Sequence, residues 1–316
     1  MAYKKSKATL PTIECDYILL DISNLLYASF FVNKGEDVET TTGLAIHMGL
    51  TTVNKYYKQF KPKKGVVMAF DRRSWRKEYT ASDLCISKKP YKGQRRKDMS
   101  VTQQKKYEEF LAHLGEFENI IVNHSTVITL MEPRLEADDL IAGFVQNRPD
   151  DMCVIVSTDT DFMQLLKLPN VRIVSPSTDK ETTLEEYDNN AKFYLFQKCL
   201  RGDPGDNVQA AYPGVRMTRI KEAYTDPFKR VSLMKETWKH EDGTEFQVEK
   251  LFEENDLLIN LEAQPEPIRK LIEEVIERET TRQKKFSLFH FVKFLHKFEL
   301  KKIADSFTNY LPMLSK

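Results

Sequence analysis

An α/β fold is predicted, with a mainly parallel central sheet flanked by helices and a helical C-terminal part. Three observations predict it. Short apolar runs recur along the first 190 residues, each is followed by a polar turn and a helix-like stretch, and beyond about residue 191 the helical pattern continues without strands. A chain of 316 residues is long enough to bury a substantial core in one large or two modest domains.

The run 17–20 reads as the first strand and leads through Asp21 into a helix over 25–30. A helical stretch at 44–60 precedes a second strand at 66–70, which ends on Asp71. After a basic insertion, 103–114 reads as a helix and 120–122 as a short strand. In 136–145, Ala137, Leu140, Ile141 and Phe144 offer one apolar helix face. Strands at 152–156 and 171–174 follow, separated by a helix at 162–166. Further on, helices are expected at 192–200, 248–259, 267–278 and 289–298, with a Gly/Pro/Asp loop at 202–206. The run Phe286, Phe289, Phe291, Phe294 and Phe298 has helical spacing, which favours core packing over base stacking. The expected division is an α/β domain over 1–190, with a basic segment at 72–106, and a helical domain over 191–316.

Composition narrows the chemistry. The hydrophobic fraction is 41%, and no apolar run approaches the length that spans a bilayer. The start 1–14 is basic with no apolar run behind it, so a cytoplasmic protein is expected. Cys15, Cys85, Cys153 and Cys199 lack the paired spacing of a zinc or redox motif, which leaves a hard, oxygen-liganded metal as the better fit. The net charge of +1 conceals a segment, 61–106, with 15 basic and 4 acidic residues, a net +11. Arg76, Lys77, Arg96 and Lys97 lie in it, interleaved with Trp75, Tyr79 and Tyr91, a mixture that suits a polyanion such as nucleic acid.

Carboxylates recur where the predicted strands end. Asp21, Asp71, and the pair Asp159 and Asp161 follow three separate strands, and ligands of open α/β sheets sit beyond those carboxyl ends. Glu136 and Asp139 share a helix face with Asp138 beside them, and the turn around Asp203 and Asp206 can aim both inward. Singly, each is as well explained as a helix cap or turn former. Together they amount to nine candidate metal ligands. So many like charges repel unless cations are present. Two Mg²⁺ ions, with Mn²⁺ as a substitute, would relieve that repulsion and could act on a phosphodiester from a separation of roughly 3.5–4 Å.

The sequence resembles the flap endonuclease and 5′-nuclease superfamily, most closely its T-even bacteriophage RNase H branch. The resemblance rests on Leu20-Asp21 with Asn24, Ala69-Phe70-Asp71, Tyr91-Lys92-Gly93-Gln94-Arg95, Glu136-Ala137-Asp138-Asp139, Ser157 through Phe162 with Gln164-Leu165, and Gly202-Asp203-Pro204-Gly205-Asp206-Asn207, in the family's order over roughly 17–220. It implies a PIN-like nuclease domain with a helical arch and a helix–turn–helix-like DNA-binding region. It also implies metal-site positions at the nine acids. Lys92 and Arg95 match the arch residues that reach the scissile phosphate, Lys as a point charge and Arg as a bidentate clamp. Arg216 stands where the family has its second glycine, which limits close backbone approach. Arg216, Arg219 and Lys221 are then candidates for binding phosphate through side chains. The implied activity is 5′→3′ exonuclease and flap endonuclease cleavage that removes RNA primers and adjacent DNA in lagging-strand replication. Expected partners are DNA and RNA–DNA hybrids with a 5′ end or flap, a single-strand-binding protein and a sliding clamp; a monomer and no membrane are expected.

Two other classes compete. A phosphatase with Asp21 as nucleophile usually wants an acid two residues on, where this chain has Ser23. A non-catalytic module for branched DNA would carry acids that repel the phosphate backbone to no purpose.

Overall fold

The computed structural model of the chain describes residues 14–32, 37–94 and 100–316. In order, the elements are β1 (Tyr17–Asp21), α1 (Ile22–Val32), α2 (Val38–Phe60), β2 (Gly65–Ala69), α3 (Trp75–Thr80), α4 (Val101–His124), β3 (Ile128–Leu130), α5 (Ala137–Gln146), β4 (Cys153–Val156), β5 (Val171–Ser175) and β6 (Lys180–Glu181). They continue as α6 (Ala191–Arg201), α7 (Met217–Thr225), α8 (Pro227–Met234), β7 (Thr237–Lys239), β8 (Glu245–Gln247), α9 (Val248–Ile259), α10 (Glu266–Thr281), α11 (Leu288–Lys297), α12 (Lys301–Asp305) and α13 (Leu311–Leu314).

Six strands form one sheet in the order β3-β2-β1-β4-β5-β6, all parallel except the short edge strand β6. The run Tyr-Ile-Leu-Leu that precedes Asp21 in β1 and the strand Cys-Val-Ile-Val are apolar because both faces of a parallel sheet are covered. On one face Ile18, Leu20, Met68 and Val154 pack in a cluster with residues of α2, α4 and α11. On the other, Leu19, Val67 and Ile155 pack with α5 and α10. The chain order reverses at the β1/β4 junction, and in such sheets the crevice at the carboxyl ends beside that junction receives the ligand.

Two helices from beyond residue 265 therefore complete the sheet's packing. Where α5 meets α10 the approach is close: a Cβ on Gly143 would lie 2.2 Å from Ile272 Cγ2. Residues of α6, α7, α8 and α9 form a separate apolar cluster around Phe193, Phe196, Leu200, Ile220 and Val248.

Three elements differ from the sequence reading. The expected strand 120–122 lies inside α4, whose buried Phe110, Leu114, Phe117 and Ile121 fall at helical spacing; Ile120 and Val122 merely widen that apolar stripe. The true third strand is Ile128–Leu130. The helical C-terminal part also holds a β7–β8 hairpin, anchored where Trp238 Nε1 donates to the Ala211 carbonyl (2.8 Å). Around 162–166 the helix is of the tighter 3₁₀ form, over Thr160–Lys167. Of the phenylalanine run, Phe291, Phe294 and Phe298 are buried as expected, while Phe289 is exposed.

The four cysteines are free and buried. Burial pushes the Cys15 and Cys153 thiols up to about 12 and that of Cys199 higher still. Lys284, between α10 and α11, donates to Val127 O and Thr129 Oγ1, both at 2.7 Å. Burial lowers its pKa from 10.5 to about 8, against the pull of Glu279. The unfolded chain thus binds a proton that the folded chain has released between about pH 8 and 10.5, so this residue's contribution favours folding increasingly as pH rises through that window and is lost as pH falls through 8. Thermal melts at pH 8 and 10 check it: the wild type should gain stability relative to Lys284→Met at the higher pH.

Candidate active site

Five of the acids are held by backbone amides before they meet the others. Asp21 closes β1, and its Oδ1 accepts from the Asn24 amide (2.9 Å). Ser23 Oγ accepts from the Asp71 amide (2.9 Å), and Asp71 Oδ1 accepts from the Ala137 amide (2.9 Å). Asp71 thereby spans from the end of β2 to the start of α5, where an anion suits the exposed amides. Asp138 Oδ1 accepts from the Asp139 amide (2.7 Å), and Asp159 Oδ1 accepts from the Asp161 amide (2.9 Å). Asp203 Oδ1 takes the amides of Gly205 (2.8 Å) and Asp206 (3.3 Å). The role of a cap or turn former is thus real for several of these acids, and it leaves oxygens over.

Their charges meet in one place. Burial holds the Asp21 carboxyl well above the usual range, and the neighbouring Asp71, Asp138 and Asp159 push the same way. Asp138 is raised by burial, then by Asp139 and Glu136. Asp159 is raised by burial and by Asp206 and Asp203, with Lys198 and Lys92 opposing. Acids from β1, β2, α5, β4 and the 203–206 turn therefore share one electrostatic field. Glu136, Asp138 and Asp139 each offer an oxygen within 4.8 Å of one another. The donors are crowded carboxylate oxygens, and Asp21, Asp138 and Asp159 among them are held above the usual range, which fits hard divalent cations.

Two lysines stand among them. Lys92 pairs with Glu136 and lies 3.5 Å from Asp206 Oδ2. Burial pushes the Glu136 carboxyl up, but Lys92 and Arg76 outweigh it and the net shift is downward. The Lys92 backbone is left-handed (φ 54°), a conformation that costs a non-glycine residue about 1–2 kcal/mol, and its amide donates to Asp206 O (2.8 Å). Lys198, on α6, pairs with Asp161 and with Asp203 Oδ2 (2.9 Å). These contacts and the Gly205 and Asp206 amides outweigh burial and lower the Asp203 carboxyl. Sequence reasoning missed Lys198, because a basic residue on an amphipathic helix carries no mark of its own; only its position five residues before Asp203 hints at it.

Two of the expected nucleic-acid contacts need correction. Arg76 is only 1% exposed: its guanidinium grips Asp139 through two bonds (2.8 and 2.9 Å), and Nε donates to Leu258 O (2.7 Å). A group so enclosed has no face for DNA. Asp139, fully buried, also accepts from Gln264 Nε2 (3.2 Å), so both of its oxygens already serve Arg76 and Gln264. Tyr91 is likewise buried, and its hydroxyl donates to Asp206 Oδ2 (2.6 Å), which rules out base stacking by its ring. Lys77 is exposed on α3. Arg95, Arg96 and Lys97 lie outside the described residues. Arg216 is exposed at the start of α7, whereas Arg219 is engaged by Glu236 and by Tyr212 Oη (2.8 Å).

A mostly parallel sheet that gathers acids at its carboxyl edge defines a resolvase-like α/β class. The chain belongs to the 5′–3′ exonuclease family: residues 16–198 match the model of its N-terminal, resolvase-like domain. Among curated proteins it is 24% identical over 210 residues to DNA polymerase I of Mycobacterium tuberculosis (strain H37Rv), covering 63% of this chain and 21% of the polymerase. It is 25% identical over 194 residues to ribonuclease H of Enterobacteria phage T4, covering 60% of this chain and 61% of that protein. The chain thus spans a minor part of the length of its polymerase relatives. The solved bacteriophage T5 D15 protein, co-crystallised with metal ions, shares the fold with a TM-score of 0.60 at 17% identity, over 84% of this chain and 99% of that one. The T5 D15 flap endonuclease in a pseudo-enzyme–product complex with DNA and metal ions gives 0.61 at 18% identity, with the same coverage. No helix among the described residues is long and apolar enough to cross a membrane.

Proposed function

We propose that this chain is a metal-dependent 5′-nuclease that hydrolyses phosphodiesters near 5′ ends, as exonuclease and flap endonuclease, and that it removes RNA primers from RNA–DNA hybrids together with adjacent DNA. The observation that carries the reading is the shared field of Asp21, Asp71, Asp138, Asp159, Asp203 and Asp206, delivered by separate elements to one edge of the sheet. Family membership and the nuclease names of the relatives support it. In this reading Asp21, Asp71, Glu136, Asp138, Asp159, Asp161, Asp203 and Asp206 hold two Mg²⁺ ions, and Asp139 serves to anchor Arg76. Such ions, when bound, polarise the scissile phosphate and activate water for in-line attack.

The chain's own groups do the rest. Lys92, held by its left-handed turn, offers a mobile positive charge to the phosphate and keeps Glu136 ionised. Lys198 holds Asp161 and Asp203 together, which brings the β4 end to the 203–206 turn. Arg76 locks Asp139, and with it the first turn of α5, so that Asp138 keeps its direction. Arg95, Arg96, Lys97 and Lys77 are proposed to meet the DNA backbone, and Arg216 to do so from α7.

The test is Mg²⁺-dependent release of short products from 5′-labelled flap, nicked and RNA–DNA substrates. Silence with both Mg²⁺ and Mn²⁺ would sink the reading. Arg216→Ala should flatten the dependence of log affinity on log salt by about one unit, as expected for one lost phosphate contact. Arg219→Ala should instead act mainly on the melting temperature, because its guanidinium already serves Glu236 and Tyr212.

A further inference from the structure

The strap of residues 81–94 runs from α3 to Lys92 without helix or strand. Backbone of this kind needs outside partners for its amides. One buried side chain of α9 supplies two of them. Glu254, 3% exposed, accepts the Ile86 amide on Oε2 and the Ser87 amide on Oε1 (3.0 Å), and the Cys85 thiol lies 3.9 Å from Oε1. Further along, Asn207 Nδ2 donates to Pro90 O (2.9 Å), the Tyr91 amide to Thr80 Oγ1 (3.0 Å) and the Lys92 amide to Asp206 O.

α9 holds other parts of the site as well. Asn255, beside Glu254, donates to Cys199 O and Gln209 O, both at 2.7 Å, and so ties down the two flanks of the 203–206 turn. Leu258 O accepts from Arg76, and Ile259 O accepts from Gln164 Nε2 (3.1 Å) on the segment that follows Asp161. One helix, beyond the family-matched stretch that ends at 198, thus fixes the strap, the turn, α3 and the 3₁₀ segment against each other.

We infer that Glu254 is a positioning residue: by clamping the Ile86 and Ser87 amides it sets the strap so that Lys92 stands against Glu136 and Asp206. The inference rests on Lys92 serving the proposed nuclease site. A carboxylate bonded to two amides is a charge-assisted clamp that a neutral side chain reproduces only in part. Loosening it frees the strap over several residues, and a displacement of about 1 Å at a reacting group can lower a rate on the order of a hundredfold.

Three measurements on the full chain test this. In Glu254→Ala, hydrogen exchange at the Ile86, Ser87 and Lys92 amides should quicken, and the single-turnover cleavage rate should fall by about tenfold to a hundredfold with DNA affinity retained. Glu254→Gln, which keeps one acceptor and the side-chain shape, should recover part of both effects, and it carries the exchange comparison if the alanine variant does not fold. In a Lys92→Ala background, Glu254→Ala should remove little further rate, because both changes act through one group. Additive losses, or unchanged protection of the Lys92 amide, would overturn the inference. If the wild type cleaves nothing, the nuclease reading fails, while the exchange at Lys92 still decides whether Glu254 sets the strap.

Discussion

Cleavage is expected to fall by about a thousandfold or more when Asp159 and Asp161 are both converted to asparagine, while the fold and DNA affinity persist. Asparagine keeps the oxygen that caps the 3₁₀ segment, so the bond from the residue 161 amide to the residue 159 side chain can survive. What disappears is negative charge facing the proposed cation site. A metal's stabilisation of developing charge is worth several kcal/mol, and each 1.36 kcal/mol is tenfold in rate, so three decades is the natural scale. Binding should not weaken, because the change removes two charges that repel phosphate. Stability should hold or rise, since burial and acidic neighbours already work against the Asp159 charge and Lys198 retains Asp203 as a partner. Quenched-flow cleavage of a 5′-labelled flap, with circular dichroism as the folding control, measures both; full activity in the double variant would defeat the assignment.

Arg76→Met is expected to destabilise the protein by about 3–5 kcal/mol, the range seen when one partner of a buried ion pair is removed. The loss is large because Asp139, fully buried, would be left with only Gln264 and the Glu136 amide in support. Lysine should not rescue, since it cannot form the bidentate pair. Arg76→Met with Asp139→Leu should recover a good part of the loss, a coupling that urea unfolding of the four proteins in the cycle would read. Equal, additive losses would show that Arg76 acts through its packing against Trp75 and Tyr91 instead.

The sheet was legible because parallel strands must be apolar on both faces, which made 17–20, 66–70, 152–156 and 171–174 conspicuous. β3 was not, because a strand of only three residues, Ile128–Leu130, stands out less in sequence than the apolar stripe at 120–122 on α4. Asp21, Asp71, Asp159 and Asp161 were legible by their place after strands. The acids' division of labour was not: Asp139 differs from Asp138 only in what lies 63 residues earlier, at Arg76, and nothing local records that. Lys198 and Glu254 were hidden for the same reason. Each is an ordinary charged residue on an amphipathic helix until tertiary packing brings Asp161, Asp203 or the strap amides against it. Arg76 and Tyr91, placed among the nucleic-acid contacts by their basic surroundings, are interior groups because α9 and the 203–206 turn close over them.

The seclusion of all four cysteine thiols offers a practical opening. With Cys15, Cys85, Cys153 and Cys199 all packed inside, maleimide dyes should find little to react with on the folded protein. A cysteine introduced at exposed Asp83 would then carry a fluorophore alone, and its emission would register how the segment leading to Lys92 responds as an oligonucleotide arrives.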